Sequence, residues 1–422
     1  MKDITLEPFS EEVWSRIRTQ DKLQFYEGPV RSGKTLASLI SLAGYIMTHD
    51  VTQGIMSGNT QSSVIRNCVK SVPGLLTILP DAYMVDRDGS KQVIVPKSTG
   101  EVKIYLFGAD KADSEDSLRG LSIDFWYADE ITKHHMNFIN EAFARSSASD
   151  HPFMLWSSNP ESPLNPIYTE YTDRFLAYSD EQKRTFGGYH EFHFALSDNP
   201  IMTKPKIEAL KLLYTGVEYK RKVLGERCIA EGLVYPDVDE RYFKEFDLKD
   251  VDIRYCAIDV GFDHPTVMMF GGMFKGNRHD WRIVAEYYDE KSNKTTSDYY
   301  ADFLDVCKRL NISPNRLIIA IDPSAKAMRL EFYRHGLSVI RAKNDVLEGI
   351  SFTRNMIYNG YLSFGPPRDF PHTLPEFGTY SWNPKAALIG KDEVIKVKDD
   401  CMDAIRYLAF THMKPFMMGL IT

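Results

Sequence analysis

Gly28-Pro29-Val30-Arg31-Ser32-Gly33-Lys34-Thr35 is the stretch on which the reading of this chain turns. It matches G-x-x-x-x-G-K-[ST], a loop whose backbone N–H groups cradle phosphate oxygens at a helix N-terminus. On this reading Gly28, Arg31, Ser32 and Gly33 line the cradle, Lys34 reaches the β and γ phosphates of ATP, and Thr35 binds Mg2+. The competing reading is an ordinary glycine turn. Context favours the first: Leu23 to Glu27 predicts a short buried strand and the segment from about Lys34 to His49 predicts a helix. Strand, loop and helix are the setting this chemistry requires.

Working outward, Phe125-Trp126-Tyr127-Ala128 and Phe153-Met154-Leu155-Trp156 are short apolar runs that predict buried parallel strands. Residues 83–107 alternate apolar and polar about Asp88-Gly89, the pattern of a hairpin followed by a third strand. With helical segments between, the first half is α/β. Its acidic strand ends in Asp129-Glu130, where the aspartate would hold the metal and the glutamate deprotonate an attacking water. The next strand ends in Ser157-Ser158-Asn159-Pro160, which would place Asn159 near the γ phosphate. Arg31, Arg119 and Arg145 are candidates for neutralising transition-state charge, and Arg119, in a polar loop ahead of the acidic strand where a neighbouring subunit could be contacted, is preferred.

In the second half Arg254 to Ile258, Val267 to Phe274 and Arg282 to Tyr288 predict a three-stranded meander, followed by a helix from Ser297 to Leu310 and a strand from Arg316 to Ile321. Two strands end in aspartate, Asp259 in CAIDVGFDHP and Asp322 in LIIAIDPSAK, while Asp400 and Asp403 share one face of a final helix. Gathering such carboxylates without cations costs several kcal/mol, so the pattern implies two Mg2+ or Mn2+ ions and phosphodiester cleavage. The strand order predicts a ribonuclease H-like fold. Asp399 or Asp400 is also expected to cap the last helix, and Asp263 and His264 could approach the metals.

The composition excludes several classes. With 51 Lys and Arg against 58 Asp and Glu, the net charge of −7 argues against binding nucleic acid through bulk positive charge. Residues 1–200 carry 19 basic and 27 acidic groups, whereas residues 251–422 carry 22 and 21, which suggests two domains. Boundaries at 1–196, 197–245 and 246–422 follow, with the middle segment as linker. The longest mostly apolar run, Leu36 to Met47, is too short to span a bilayer, and the N-terminus has no secretory pattern. Five scattered cysteines, none in a CxxC pair, disfavour a disulfide framework or zinc site and suit a reducing cytoplasm. The run from Lys204 to Arg227 holds seven basic and three acidic residues, read either as a phosphate-contacting surface or a solvated helix face. His134-His135 is read as helix surface.

Together these strings resemble the large terminase subunit of tailed double-stranded DNA phages. SLRGLSIDFWYADE, SSNPESPLNPIYTEY, LSDNP with YKRKVLGERCIAEGLVYP, AIDVGFDHPT, AIDPSA and DDCMDAIRY carry the likeness over nearly the whole chain. Where many relatives have a histidine three residues before the last aspartate, this chain has Asp400. The resemblance implies a P-loop ATPase domain of the RecA/ASCE kind with a mostly parallel sheet, then a ribonuclease H-like nuclease domain. It implies catalytic roles for Glu130, Asp259, Asp322 and Asp403, and metal ligation by Thr35, Asp129, Asp259, Asp322, Asp400 and Asp403. It further implies double-stranded DNA, a small terminase subunit and a procapsid portal as partners, a ring of about five subunits, and a place in the host cytoplasm and transiently at the portal but not in the mature virion. Other expectations compatible with the motifs are a DNA-repair helicase or ATPase-nuclease, and a nucleotide-dependent assembly switch with an inactive second domain.

Overall fold

The computed structural model describes residues 9–19, 21–87, 89–212, 214, 216–261, 264–290 and 294–418. Asp88 of the expected hairpin turn, Asp263 and the first eight residues lie outside these. The chain divides into two units, Met1–Lys211 with Gly216–Ile229 and Leu388–Lys391, and Leu212–Thr215 with Ala230–Ala387 and Asp392–Thr422. The segment 197–245 is thus shared between them.

The first unit is built on an eight-stranded sheet. Its strands are β1 (Leu23–Glu27), β2 (Gln53–Gly58), β3 (Tyr83–Arg87), β4 (Ser90–Lys97), β5 (Gly100–Gly108), β6 (Phe125–Asp129), β7 (Phe153–Ser158) and β8 (Tyr189–His193). They lie in the order β3-β4-β5-β2-β6-β7-β1-β8. From β5 to β8 every pairing is parallel, and β3 and β4 form an antiparallel edge. One strand, β7, separates the loop strand β1 from the acidic strand β6, the RecA/ASCE arrangement. All residues of β1, β6 and β7 are buried, because helices cover both faces of a parallel sheet. Alternate residues feed two cores: Phe25, Trp126 and Trp156 on one face, Tyr26, Tyr127 and Leu155 on the other.

Two strands of this sheet, β2 and β8, were not expected from the sequence. In β2 the sequence QGIMSG carries two glycines, which weaken a strand signal. The reason lies in packing, since a Cβ on Gly54 would run into the Phe125 ring of β6.

The second unit holds β9 (Val251–Asp259), β10 (Thr266–Phe274), β11 (Trp281–Asp289), β12 (Ile318–Ile321), β13 (Ser338–Arg341) and β14 (Leu362–Phe364), in the order β13-β12-β9-β10-β11-β14. The β9-β10-β11 meander is antiparallel, and β12 and β13 run parallel to β9. This is the ribonuclease H-like order, extended at one edge by β14. The last helical run opens with Asp400–Leu408 and continues through a π turn to Lys414–Met418; its first part lays Cys401, Met402, Ile405 and Leu408 into the core that Ala257 of β9 and Met269 of β10 share. That packing holds the N-terminal end of the helix beside the ends of β9 and β12.

Candidate nucleotide site and carboxylate cluster

Gly28 follows β1 directly, its N–H donating to the Ser158 carbonyl at 3.3 Å. Arg31 turns the loop with φ of 69°. Gly33 stands at the helix N-cap with φ of 89°, a left-handed conformation that costs a residue with a Cβ about 1–2 kcal/mol. The helix then runs Lys34–Thr48, with Thr35 in its first turn. Ser32 is fully buried and its Oγ has no hydrogen-bond partner in the protein. A buried orphan hydroxyl facing a loop of this shape fits a phosphate oxygen, which would satisfy it.

Lys34 is 5% exposed, and its Nζ donates to Asn159 Oδ1 at 2.7 Å and to the Pro29 carbonyl at 3.3 Å. Asn159 Nδ2 in turn donates to Glu130 Oε1 at 2.9 Å. Three side chains chosen separately from the sequence therefore form one chain of hydrogen bonds. Burial drives the Lys34 ammonium below its ordinary pKa against the pull of Glu130, Asp129 and Glu27. Burial also raises the Glu130 carboxyl, opposed by Lys34 and assisted by Asp129. Asp129 Oδ1 accepts from the Tyr127 hydroxyl at 3.1 Å and from Ser157 Oγ at 3.2 Å, so β6 and β7 together orient it. Thr35 and Asp129 supply the hydroxyl and carboxylate oxygens that suit Mg2+.

The second unit brings the remaining aspartates into mutual range. Asp259 is raised well above its ordinary value, first by burial, then by the charges of Asp403, Asp322 and Asp400. Asp400 is raised to about 6 by burial and Asp399, with His264 acting against the shift. Asp322 is drawn below its ordinary value: burial opposes this, but hydrogen bonds from Ser324 and from the Tyr407 hydroxyl, 2.9 Å from Oδ2, outweigh it. Asp403 is bracketed by cations, with Lys396 Nζ at 2.8 Å from Oδ2 and Arg406 at 2.9 Å from Oδ1. Lys396 also pairs with Asp399 at 2.8 Å. Among the described residues no three His, Cys, Asp or Glu side chains are already closed into a metal-holding group. The donor set nonetheless fits a divalent cation of the Mg2+ class: it is all carboxylate and under mutual repulsion, and release of Lys396 would free an oxygen of Asp403.

A family profile described as terminase large subunit, T4likevirus-type, N-terminal, matches residues 25–249, more than half of the chain. The chain belongs to the terminase large subunit family. Among solved structures, the large terminase of a thermophilic bacteriophage superposes with a TM-score of 0.80 at 25% identity, covering 96% of this chain and 100% of that one. The same protein in complex with ADP gives equal values, and in complex with ATP-gamma-S a TM-score of 0.78 at 25% identity, covering 95% and 99%. Among curated proteins nothing matches.

Arg119 is 65% exposed at its side chain and pairs with Asp116 at 3.0 Å and Glu115 at 3.6 Å, within its own turn. Neither contact ties it to the loop of its own chain, and its exposure leaves the reading of a contact across subunits as an expectation. Arg145 pairs with Glu141. Other expectations for this terminase are corrected by its geometry. Asp399 stands at the N-cap position as expected, but its side chain makes no capping bond and pairs with Lys396 instead. Glu376 reaches in from elsewhere to accept from the Cys401 N–H at 2.9 Å. His134 is buried, not on a helix surface; only His135 caps the following helix. Much of the basic run is neutralised internally: Lys211 pairs with Glu208, Arg221 with Glu161, Lys222 with Glu218 and Arg227 with Glu27.

Two contacts that brace the loop escaped the motif reading. Asn199, in the LSDNP string, donates to the Arg31 carbonyl at 2.8 Å and so braces the loop. Arg227, in the GER string, donates from Nε to both Glu27 oxygens, at 2.8 and 3.1 Å, and lies 3.8 Å over the Tyr168 ring. Glu27 immediately precedes Gly28. Its carboxyl is raised to about 7 by burial, against Arg227 and Tyr168. Strings recognised only as family likeness thus pack on the loop from outside it.

Proposed function

We propose that this terminase subunit hydrolyses ATP in its first unit to drive double-stranded DNA into a procapsid and cuts concatemeric DNA in its second. The observation that supports the motor reading is the Lys34–Asn159–Glu130 chain, which joins a cation that would meet phosphate to a base candidate through a side chain that would sense the γ phosphate. When ATP enters, its phosphates take the donors that Lys34 and the loop N–H groups now spend within the protein. Asn159, released from Lys34, would retain Glu130, which removes a proton from the attacking water. Thr35 and Asp129 would hold Mg2+, which neutralises phosphate charge.

Asp259, Asp322, Asp400 and Asp403 would hold two Mg2+ or Mn2+, which stabilise the attacking and leaving oxygens of phosphodiester cleavage. Tyr407 and Ser324 keep Asp322 ionised and oriented for that task. The domain limits 1–196, 197–245 and 246–422 are part of the proposal. So are a small terminase subunit and a portal as partners, assembly of about five subunits, and a place in the host cytoplasm and transiently at the portal but not in the mature virion. No helix of the described residues is long and apolar enough to cross a membrane.

Packaging of DNA into empty procapsids tests the motor, and incubation of plasmid with Mn2+ tests the nuclease. Asp322→Ala is expected to abolish nicking and linearisation while ATP turnover stays within about twofold of the parent, as expected for independent sites. Cutting by that variant would refute the nuclease assignment.

A further inference from the structure

Glu130 is one of four non-glycine residues with positive φ among those described, at φ 58° and ψ 53°. Holding such a residue left-handed costs about 1–2 kcal/mol, so something must fix it. Its carbonyl accepts two hydrogen bonds, from the Lys133 N–H at 2.9 Å and from His134 Nδ1 at 3.2 Å. The imidazole lies edge-on to Phe138 and is 7% exposed. Its other nitrogen, Nε2, is 2.9 Å from Ser57 Oγ on β2, and that oxygen lies 2.7 Å from Trp126 Nε1 on β6.

The chemistry of the partners fixes every proton in this chain. A carbonyl only accepts, so Nδ1 carries the hydrogen; an indole only donates, so Trp126 gives to Ser57 and the Ser57 hydroxyl gives to Nε2. Burial lowers the His134 pKa to about 3, which keeps the ring neutral and this tautomer in place. The result ties the Glu130 carbonyl across two adjacent strands of the sheet. A purely space-filling residue would not need three buried polar groups aligned in one direction.

We propose that His134 is a positioning residue for ATP hydrolysis, its ring holding the Glu130 backbone in the conformation that presents the Glu130 carboxylate to Asn159 and Lys34. The proposal rests on the reading of Glu130 as the base. It assigns to the first histidine of the His134-His135 pair a role that the loop and acidic-strand motifs do not contain.

The test is steady-state ATP hydrolysis by the full chain in Mg2+, with His134→Phe, His134→Asn, Ser57→Ala and Glu130→Gln compared with the parent. Misplacing a catalytic group by about an ångström costs up to about 10²-fold. His134→Phe is therefore expected to lower kcat roughly 10- to 100-fold with KM for ATP held within about twofold. His134→Asn, which returns an N–H near the Nδ1 position, should recover most of that loss. Parent-like kcat in His134→Phe, a rise in KM at unchanged kcat, or an Asn variant no better than Phe would each overturn the proposal. Should both His134 variants fail to fold, Ser57→Ala decides: a fall of several-fold in kcat supports it and parent-like kcat overturns it. Glu130→Gln separates the two claims. If that variant keeps parent turnover, the assignment of the base fails and the positioning role with it. If it is inactive while His134→Phe is parent-like, only the positioning role fails.

Discussion

Glu130 and Lys396 show how single side chains set the behaviour of the two sites. Glu130 stands on a left-handed backbone, and its carboxylate is joined to Lys34 through Asn159. Glu130→Gln should still bind ATP but turn it over at least ~100-fold more slowly, since general-base assistance is worth about 10²–10⁴. Equilibrium binding of a fluorescent ATP analogue beside a phosphate-release assay checks both halves, and near-normal turnover would place the base elsewhere. Lys396 bridges Asp399 and Asp403, where the proposed metal ions would otherwise supply positive charge. Burial disfavours its charge, but the two aspartates outweigh this and raise its pKa. Lys396→Met is expected to tighten Mn2+ binding by several-fold in calorimetry, because the ion no longer displaces a resident cation. Weaker binding would mean that the lysine helps to hold the site together.

At the scale of elements, the last helix of the chain illustrates a cap borrowed from a distance. Glu376, itself buried, accepts from the Cys401 N–H, and its carboxyl is pushed up to about 7 by burial, with Asp400 assisting and the hydrogen bonds from Cys401 and Met402 opposing. A carboxyl raised on folding adds stability that is present below its unfolded value of about 4.5 and is lost as pH rises through about 7. Glu376→Gln mimics the protonated form. In EDTA, its Tm should exceed the parent's at pH 8, and the difference should shrink toward zero near pH 5. A difference that grows as pH falls would reverse the assignment. The same scale explains a missed strand: Gln53–Gly58 is a strand because Gly54 lets the Phe125 ring approach, a reason invisible in its own composition.

For the whole molecule, charge is the property that changes most between sequence and structure. The net −7 leaves room for a local cationic surface, and the Lys204–Arg227 run is the candidate for one. Four of its seven cations are instead paired within the first unit, and Arg221 and Arg227 are tied to Glu161 and Glu27. Non-specific DNA binding should therefore depend weakly on salt, with a log–log slope shallower than about −5, against about −0.9 for each phosphate neutralised. Fluorescence anisotropy across a salt series measures it, and a slope steeper than about −8 would reveal a broad cationic face. A loose grip of this kind suits a chain proposed to move DNA rather than to hold it.

The sequence by itself determined the glycine-rich loop, the acidic strand ends and most of the strands around them, though not β2 or β8. Each is a local signal: a glycine spacing, a five-residue apolar run, an aspartate at its end. It could not reach Asn199 against Arg31, Arg227 against Glu27, Glu376 on the last helix, or the Trp126–Ser57–His134 chain behind Glu130. These contacts join residues far apart in the chain, and nothing in their own neighbourhoods announces a partner. Only tertiary packing decided them, because burial leaves polar groups in need of hydrogen bonds, and which group answers depends on which strands and turns the fold sets side by side.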